Sequence, residues 1–214
     1  MSLLDLITGS AGNHVADKAQ NQFGISRNQI IALMAVATPL VVSYLKNKAK
    51  DKAEAESLNN ALDKDHDGSI LSEPSQIESR TQEGNSILDH IFGGQKAQVE
   101  NELSQNTGIS MDKIGPILGM LAPLIMGYIG KEKRSNQVQS GGISDLLGGL
   151  LGQAQQEAQG SSPLNDILGQ VLRSGNQNQT SNPLQDLLGG MTGQSQSNNR
   201  GGLGGLLGSI LGGR

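Results

Sequence analysis

One stretch of the chain occurs twice, at a constant offset of 84 residues. Residues 23–45 and 107–129 share a Gly-Ile-Ser start followed by an apolar run that contains one proline at the same place. When the pairing is extended back to residues 2 and 86, 13 of 44 positions are identical, and within residues 30–45 most others pair apolar with apolar. Self-similarity at a fixed period indicates a tandem duplication. The fold therefore has to accommodate two copies of one unit.

The composition indicates which part of the chain can fold around a core. Residues 1–130 are rich in Ala, Leu, Ile and Val, whereas the chain beyond residue 133 is dominated by Gly, Gln, Ser and Asn. With two Phe, two Tyr and no Trp, the core has to be aliphatic, which favours helix packed on helix. We predict an all-α fold whose two repeats pack as one pseudo-symmetric bundle, followed by a mostly disordered C-terminal tail.

The same composition and the repeat set the expected boundaries. They are helical repeat 1 over residues 1–46, a polar helix and acidic turn over 47–85, helical repeat 2 over 86–134, and the low-complexity tail over 135–214.

Each repeat has a proline inside its long apolar helix. Pro39 and Pro123 each remove one intrahelical hydrogen bond and clash with the preceding turn, so we expect a kink or a break at both. The apolar stretches 30–45 and 114–129 are shorter than the roughly 20 residues that span a bilayer. They therefore favour buried core helices over membrane segments.

A short motif recurs in the tail: an apolar residue, any residue, Asp, two apolar residues and then Gly. Its copies are Ile143–Gly148, Leu164–Gly169 and Leu184–Gly189, with a degenerate copy at Leu203–Gly208. The same pattern begins the two repeats, at Leu3–Ile7 and Ile87–Ile91.

Such segments are too short to form stable helices alone, yet several on one tail can bind strongly through effective concentration. We expect them to dock, within or between chains, where the corresponding segments of the repeats lie. The predicted interaction residues are Leu146, Leu147, Ile167, Leu168, Leu187 and Leu188. The alternative is a solubilising tail in which the Leu pairs occur by chance.

Three motifs in order carry a family resemblance: Asp67-Gly68-Ser69-Ile70-Leu71, GNSILDHIFGG over residues 84–94, and LAPLIMG over residues 121–127. Together they resemble a bacterial domain family of unknown function, the one numbered 937, over roughly residues 3–130 and without the tail. The resemblance implies a bacterial, mostly helical protein and supplies no activity. Repeat 1 lacks the His and Phe of residues 90–92, so a role for that His would belong to repeat 2 alone.

The acidic turn, residues 63–73, matches the start of an EF-hand loop. Oxygen ligands fall at its first, third and fifth positions, and Gly68 occupies the sixth. The twelfth position is Pro74 instead of the bidentate Glu. The candidate calcium ligands are Asp63, Asp65, Asp67, Ser69 and Glu73. The alternative is a structural turn in which Asp side chains bond their own backbone and Gly68 is left-handed.

Nothing in the sequence indicates an enzyme, and no catalytic or cofactor-binding residue is predicted. His66 should face solvent between the acidic positions, and His90 has no nucleophile or second acid at a recognisable spacing. The chain has no Cys, which excludes thiolate chemistry and disulfides. No cofactor is required, and calcium is the one that the sequence suggests.

Charge and the N-terminal sequence bear on partners and location. The net charge of −4 without long runs of one sign, together with the scarce aromatics, argues against nucleic-acid binding. Because Met1–Asp5 lacks the features of a signal peptide, we expect a cytoplasmic location. The leading interpretation is a non-enzymatic helical interaction or self-assembly module with protein partners, including itself. The alternatives are a calcium-binding module and a membrane-surface protein.

Overall fold

Helices make up most of the computed structural model, which describes residues 2–159. The α-helices in chain order are α1 Leu3–Thr8, α2 Ser10–Phe23, α3 Arg27–Lys48, α4 Lys52–Lys64, α5 Thr81–Phe92, α6 Lys96–Thr107, α7 Met111–Ser135 and α8 Ile143–Gln159. Short 3-10 turns lie at Ser69–Leu71, Pro74–Ile77, Gly93–Gln95 and Ser140–Gly142. Residues 2–159 contain no β-strand. The predicted all-α class is confirmed.

The two repeats form equivalent sets of helices, with α1, α2 and α3 in repeat 1 and α5, α6 and α7 in repeat 2. Their buried side chains belong to a single hydrophobic cluster. One contact between the repeats is aromatic: Tyr44 of α3 and Phe92 of α5 meet edge to face, with ring centroids 4.8 Å apart. The Tyr44 hydroxyl donates to Gln95 Oε1 at 3.1 Å. The repeats therefore share one core.

Local sequence signals set several helix ends. Ser2 and Asp5 form a reciprocal capping box at α1, and the Ser26 side chain accepts a hydrogen bond from the Gln29 backbone N–H at α3. Gly24 and Gly108, which are 84 residues apart, end α2 and α6 in the left-handed conformation, with φ of 65° and 68°. Glycine adopts this conformation without strain. Both repeats therefore turn from the second helix into the long helix in the same way.

The expected break at the prolines is absent. α3 runs through Pro39 for 22 residues, and α7 runs through Pro116 and Pro123 for 25. A proline inside a helix costs about 3 kcal/mol. Twelve residues of α3 and sixteen of α7 are buried, and burial of this apolar surface offsets the lost hydrogen bond. Both helices are consequently longer than the apolar stretches that predicted them.

α3 and α7 are also long and apolar enough to cross a membrane, judged by length and composition. The most apolar windows have mean hydropathies of 1.6 and 1.4, and 67% and 83% of their residues are buried inside the fold. Core helices of soluble proteins meet the same criterion, so this observation is weak evidence for a membrane span.

The closest helix packing occurs where α5 crosses α7. A Cβ atom at Gly84 would lie 1.8 Å from the carbonyl oxygen of Gly119 and 2.9 Å from Pro123 Cδ. The two backbones are in direct contact there, and a residue with any side chain would push them apart. Gly84 lies inside the region that the sequence predicted as a linker, because α5 begins at Thr81.

We predict that Gly84→Ala lowers the free energy of unfolding by about 2 kcal/mol, since overpacking of a tight contact outweighs the gain of about 1 kcal/mol that Ala brings to a helix. Urea denaturation followed by far-UV circular dichroism measures the change. The matched control is Gly94→Ala, where a Cβ atom meets nothing within 4 Å. Equal urea midpoints for the two variants would contradict the assigned contact.

Candidate functional site

The first tail motif is part of the folded body. Ile143–Gly148 begins α8, which packs along α3 and also contacts α1 and α4. Ile143 and Leu147 are fully buried, Leu150 and Leu151 are buried, and Leu146 is half-buried against the core. Within the chain this motif packs chiefly on α3, whereas docking of tail motifs where Leu3–Ile7 or Ile87–Ile91 lies stays a prediction. The helical structure thus continues to Gln159, beyond residue 135, at which the tail was expected to begin.

Within residues 2–159 the motif occurs three times, and its copies share an exposed Asp and a buried last apolar position. We call α1, α5 and α8 the motif helices. Asp5, Asp89 and Asp145 are exposed in all three. The flanking apolar positions point inward: Leu3 and Ile7 in α1, Ile87 and Ile91 in α5, and Ile143 and Leu147 in α8. The motif therefore specifies an amphipathic helix with one apolar stripe.

The other predicted interaction residues lie outside the described residues. These are Ile167, Leu168, Leu187 and Leu188, in the two motif copies that follow α8.

In the acidic turn, basic side chains from the end of α7 hold the carboxylates. Asp63 Oδ1 accepts from Lys133 Nζ at 2.5 Å, and Lys133 is only 6% exposed. Arg134 donates to the backbone carbonyls of Asp63 and Asp67 at 3.0 and 3.1 Å. The turn therefore supplies acceptors for the basic side chains at the C-terminal end of α7, where the helix dipole favours positive charge.

Within the turn itself, the side chains bond locally. Asp67 Oδ1 accepts the Ser69 N–H at 2.9 Å, and hydrogen bonding from Ser69 lowers the pKa of the Asp67 carboxyl. Gly68 is left-handed with φ of 91°. Glu73 accepts from the Gln76 side chain, and the Asp65 carbonyl accepts from Arg80 at 2.7 Å. The Asp67 bond to the backbone and the left-handed Gly68 are the features of the structural-turn alternative, and the bonds of Glu73 and of the Asp65 carbonyl are additional to it.

The candidate calcium ligands do not converge in this conformation. Among residues 2–159, no group of three or more His, Cys, Asp or Glu side chains is placed to hold a metal ion. Calcium binding stays a prediction, and it would require Asp63 to exchange Lys133 for the ion.

A calorimetric calcium titration, with Asp65→Ala as control, tests this prediction. Saturable heat of binding in the parent chain that is absent in the variant would identify a site.

His66 is buried, which corrects the expectation that it faces solvent. Its side chain is 4% exposed, and Nε2 lies 3.4 Å from Glu83 Oε1 of α5. Nδ1 is buried and has no hydrogen-bond partner within residues 2–159. Burial is the largest cause of a lowered His66 pKa, which nearby Glu83 and Asp65 oppose and Arg80 reinforces. The sequence missed this because it gave no sign that α5 and α7 cover the turn.

An apolar cleft lies next to His66, between α4 and α5. Its cavity volume is about 290 Å³. The apolar lining residues are Leu45, Ala49, Leu58, Ala61, Ile87, Ile91 and Met126. Three of them, Leu58, Ala61 and Ile87, are only half-buried. The α4–α5 cleft was not predicted, because its walls come from four helices that are distant in sequence.

Ion pairs surround the α4–α5 cleft. His90 Nε2 lies 3.1 Å from Glu54 Oε2, which is also 3.5 Å from Lys48 Nζ. Arg80 holds Glu83 with two hydrogen bonds of 2.7 Å. Each of these two carboxylates has a basic partner, and a third carboxylate, the exposed Asp65, also lines the cleft. The cleft is therefore suited to an apolar ligand surface with a polar edge.

Comparison with known proteins identifies a family. The model of the family described as "Bacterial protein of unknown function (DUF937)" matches residues 5–132 and again residues 133–214. The chain belongs to this family. The second match covers α8 and the tail motifs, which the resemblance seen in the sequence had left out. No curated protein and no solved structure matches the chain.

We predict that the unfolding temperature falls as pH decreases below about 6.5, the ordinary pKa of His. The folded-state pKa of His66 is lowered, so the unfolded chain binds a proton that the folded chain excludes until the pH reaches that lower value. Calorimetry between pH 7.5 and 5.5 measures the slope. His66→Gln should flatten it, whereas His90→Gln, at a position whose side chain is 59% exposed, should not. A slope that survives in His66→Gln would contradict the assignment.

Proposed function

We propose that this member of the DUF937 family is a non-enzymatic helical interaction module, in which the tail motifs mediate association between copies of the chain. The proposal depends on the motif helices, because they are the element that the chain repeats most often. Three occur in the folded body and two further complete copies follow α8.

The observation that carries the proposal is the packing of α8 on α3. This helix is a tail motif, and its Ile143 and Leu147 side chains are fully buried against helices of the body. The copies at Leu164–Gly169 and Leu184–Gly189 have the same apolar positions and the same Asp. Sequences with the same apolar stripe have the same means of covering an apolar helix surface.

The energetics favour several weak contacts over one strong contact. A two-turn helix buries only a few side chains, each contributing about 1.5–3 kcal/mol when fully buried, and much of this gain is lost in ordering the segment. One copy on its own therefore binds weakly. Two copies on one tail raise the overall affinity through effective concentration without any new contact.

We expect the full chain to self-associate in a concentration-dependent way and the chain ending at Gln159 to remain monomeric. Sedimentation velocity over the micromolar range measures this. The end point preserves α8, so the loss is not due to an unfolded body.

A point-mutant pair tests the same prediction without a deletion. Replacing Ile167, Leu168, Leu187 and Leu188 with Glu should abolish association, because the charges prevent the apolar stripe from being buried. The charge-matched control replaces four polar tail residues with Glu: Gln177, Gln179, Gln194 and Gln196. If both variants associate like the parent chain, the motifs are not the contact.

A further inference from the structure

One motif helix is incompletely covered. Ile87 of α5 corresponds to Leu3 of α1 and to Ile143 of α8, which are 2% and 0% exposed. Ile87 itself is only half-buried, and it lines the α4–α5 cleft. Leu58 and Ala61 of α4, on the opposite wall, are also half-buried. The first apolar position of the motif is therefore fully packed in α1 and α8 but only partly packed in α5.

The cover of the other motif helices indicates what fits such a surface. α1 and α8 both pack on α3, and they also contact each other. A motif helix is therefore an established neighbour of another motif helix in this fold. The α4–α5 cleft offers the same combination, namely one motif helix, α5, beside the C-terminal part of α3.

We propose that the α4–α5 cleft is the docking site for the Leu184–Gly189 segment of the same chain. The inference depends on the proposed function in one respect, that tail motifs dock on helical surfaces. In the docked segment, Leu184 and Leu188 correspond to the fully buried Ile143 and Leu147 of α8 and face Ile87 and Leu58. Asp186 corresponds to the exposed Asp145 and stays at the polar edge.

The reach of the tail selects this copy. The 24 residues from 160 to 183 separate it from α8, and a Gly/Ser-type linker of that length has a root-mean-square span of roughly 27 Å. A folded body of this size has a radius of gyration of about 15 Å. Leu164 lies five residues beyond Gln159, a distance of at most about 18 Å when the chain is fully extended. None of the α8 side chains that the structure describes lines the cleft, so the longer tether of the second copy gives it the greater reach to this site.

Tethering also decides between the same chain and a second copy. A short flexible tether gives an effective concentration in the millimolar range, which exceeds a micromolar concentration of free chains about a thousandfold. Docking within the chain therefore precedes docking between chains. This contact competes with association and sets the protein concentration at which copies begin to assemble.

The chain has no Cys, so a pair of introduced cysteines reports on one contact. Ser86 is exposed and lines the cleft, and Gln185 lies between the two Leu positions of the segment without belonging to the apolar stripe. The full-length chain with Ser86→Cys and Gln185→Cys is treated with a short bismaleimide at submicromolar concentration. We expect a monomeric crosslinked product that forms about tenfold faster than in the Ser10→Cys and Gln185→Cys pair, since docking raises the local concentration.

Ser10 is an exposed serine that does not line the cleft, so the second pair measures random collisions of the tail. Adding Leu184→Glu and Leu188→Glu to the first pair should reduce its rate to that of the second. Equal rates in the two cysteine pairs overturn the site, and crosslinks that join only separate chains overturn the same-chain assignment. The crosslink is measured in monomers, whereas the proposed function is measured by sedimentation, so either can fail without the other.

Discussion

The fold depends on the burial of two long helices that are apolar on nearly every side. α7 has sixteen buried residues among its 25, and α3 has twelve among 22. A helix that is hydrophobic all round has to be enclosed by other elements. The shorter helices of each repeat are amphipathic and can each cover one stripe. The two shorter helices of one repeat do not enclose its long helix, so the repeats pack on each other and α8 is added along α3.

Because the core is aliphatic, the helices have to pack with short distances between their backbones. With few aromatic rings to fill space, the backbones approach until glycines meet backbone atoms, as Gly84 does at Gly119 and Gly130 does at His66. Close packing increases the number of dispersion contacts for each buried atom. It also makes the fold sensitive to the addition of a single methyl group at such places, whereas most exposed positions tolerate it.

The two repeats have diverged where their long helices end. α7 ends in Lys133 and Arg134, which hold the acidic turn, so the EF-hand-like carboxylates serve as partners of a helix C-terminus in this conformation. α3 ends beside α4, where the α4–α5 cleft leaves half-buried apolar side chains. The C-terminal end of α7 therefore holds a structural turn, whereas the C-terminal end of α3 lies beside an incompletely covered apolar surface. The family match over residues 133–214 is consistent with a further, partial copy of the unit that supplies α8.

The sequence by itself determined what depends on neighbours along the chain or on its own repetition. The duplication, the helical class, the caps at Ser2 and Ser26 and the amphipathic tail motif are of this kind, because hydrogen bonds of one turn and a period of apolar residues decide them. Only the tertiary structure decided that α3 and α7 continue through their prolines, that His66 is buried, that α8 belongs to the body and that a cleft lies between α4 and α5. Each of these results from contacts between residues far apart in sequence, and the free energy of burial that they supply exceeds the local preference.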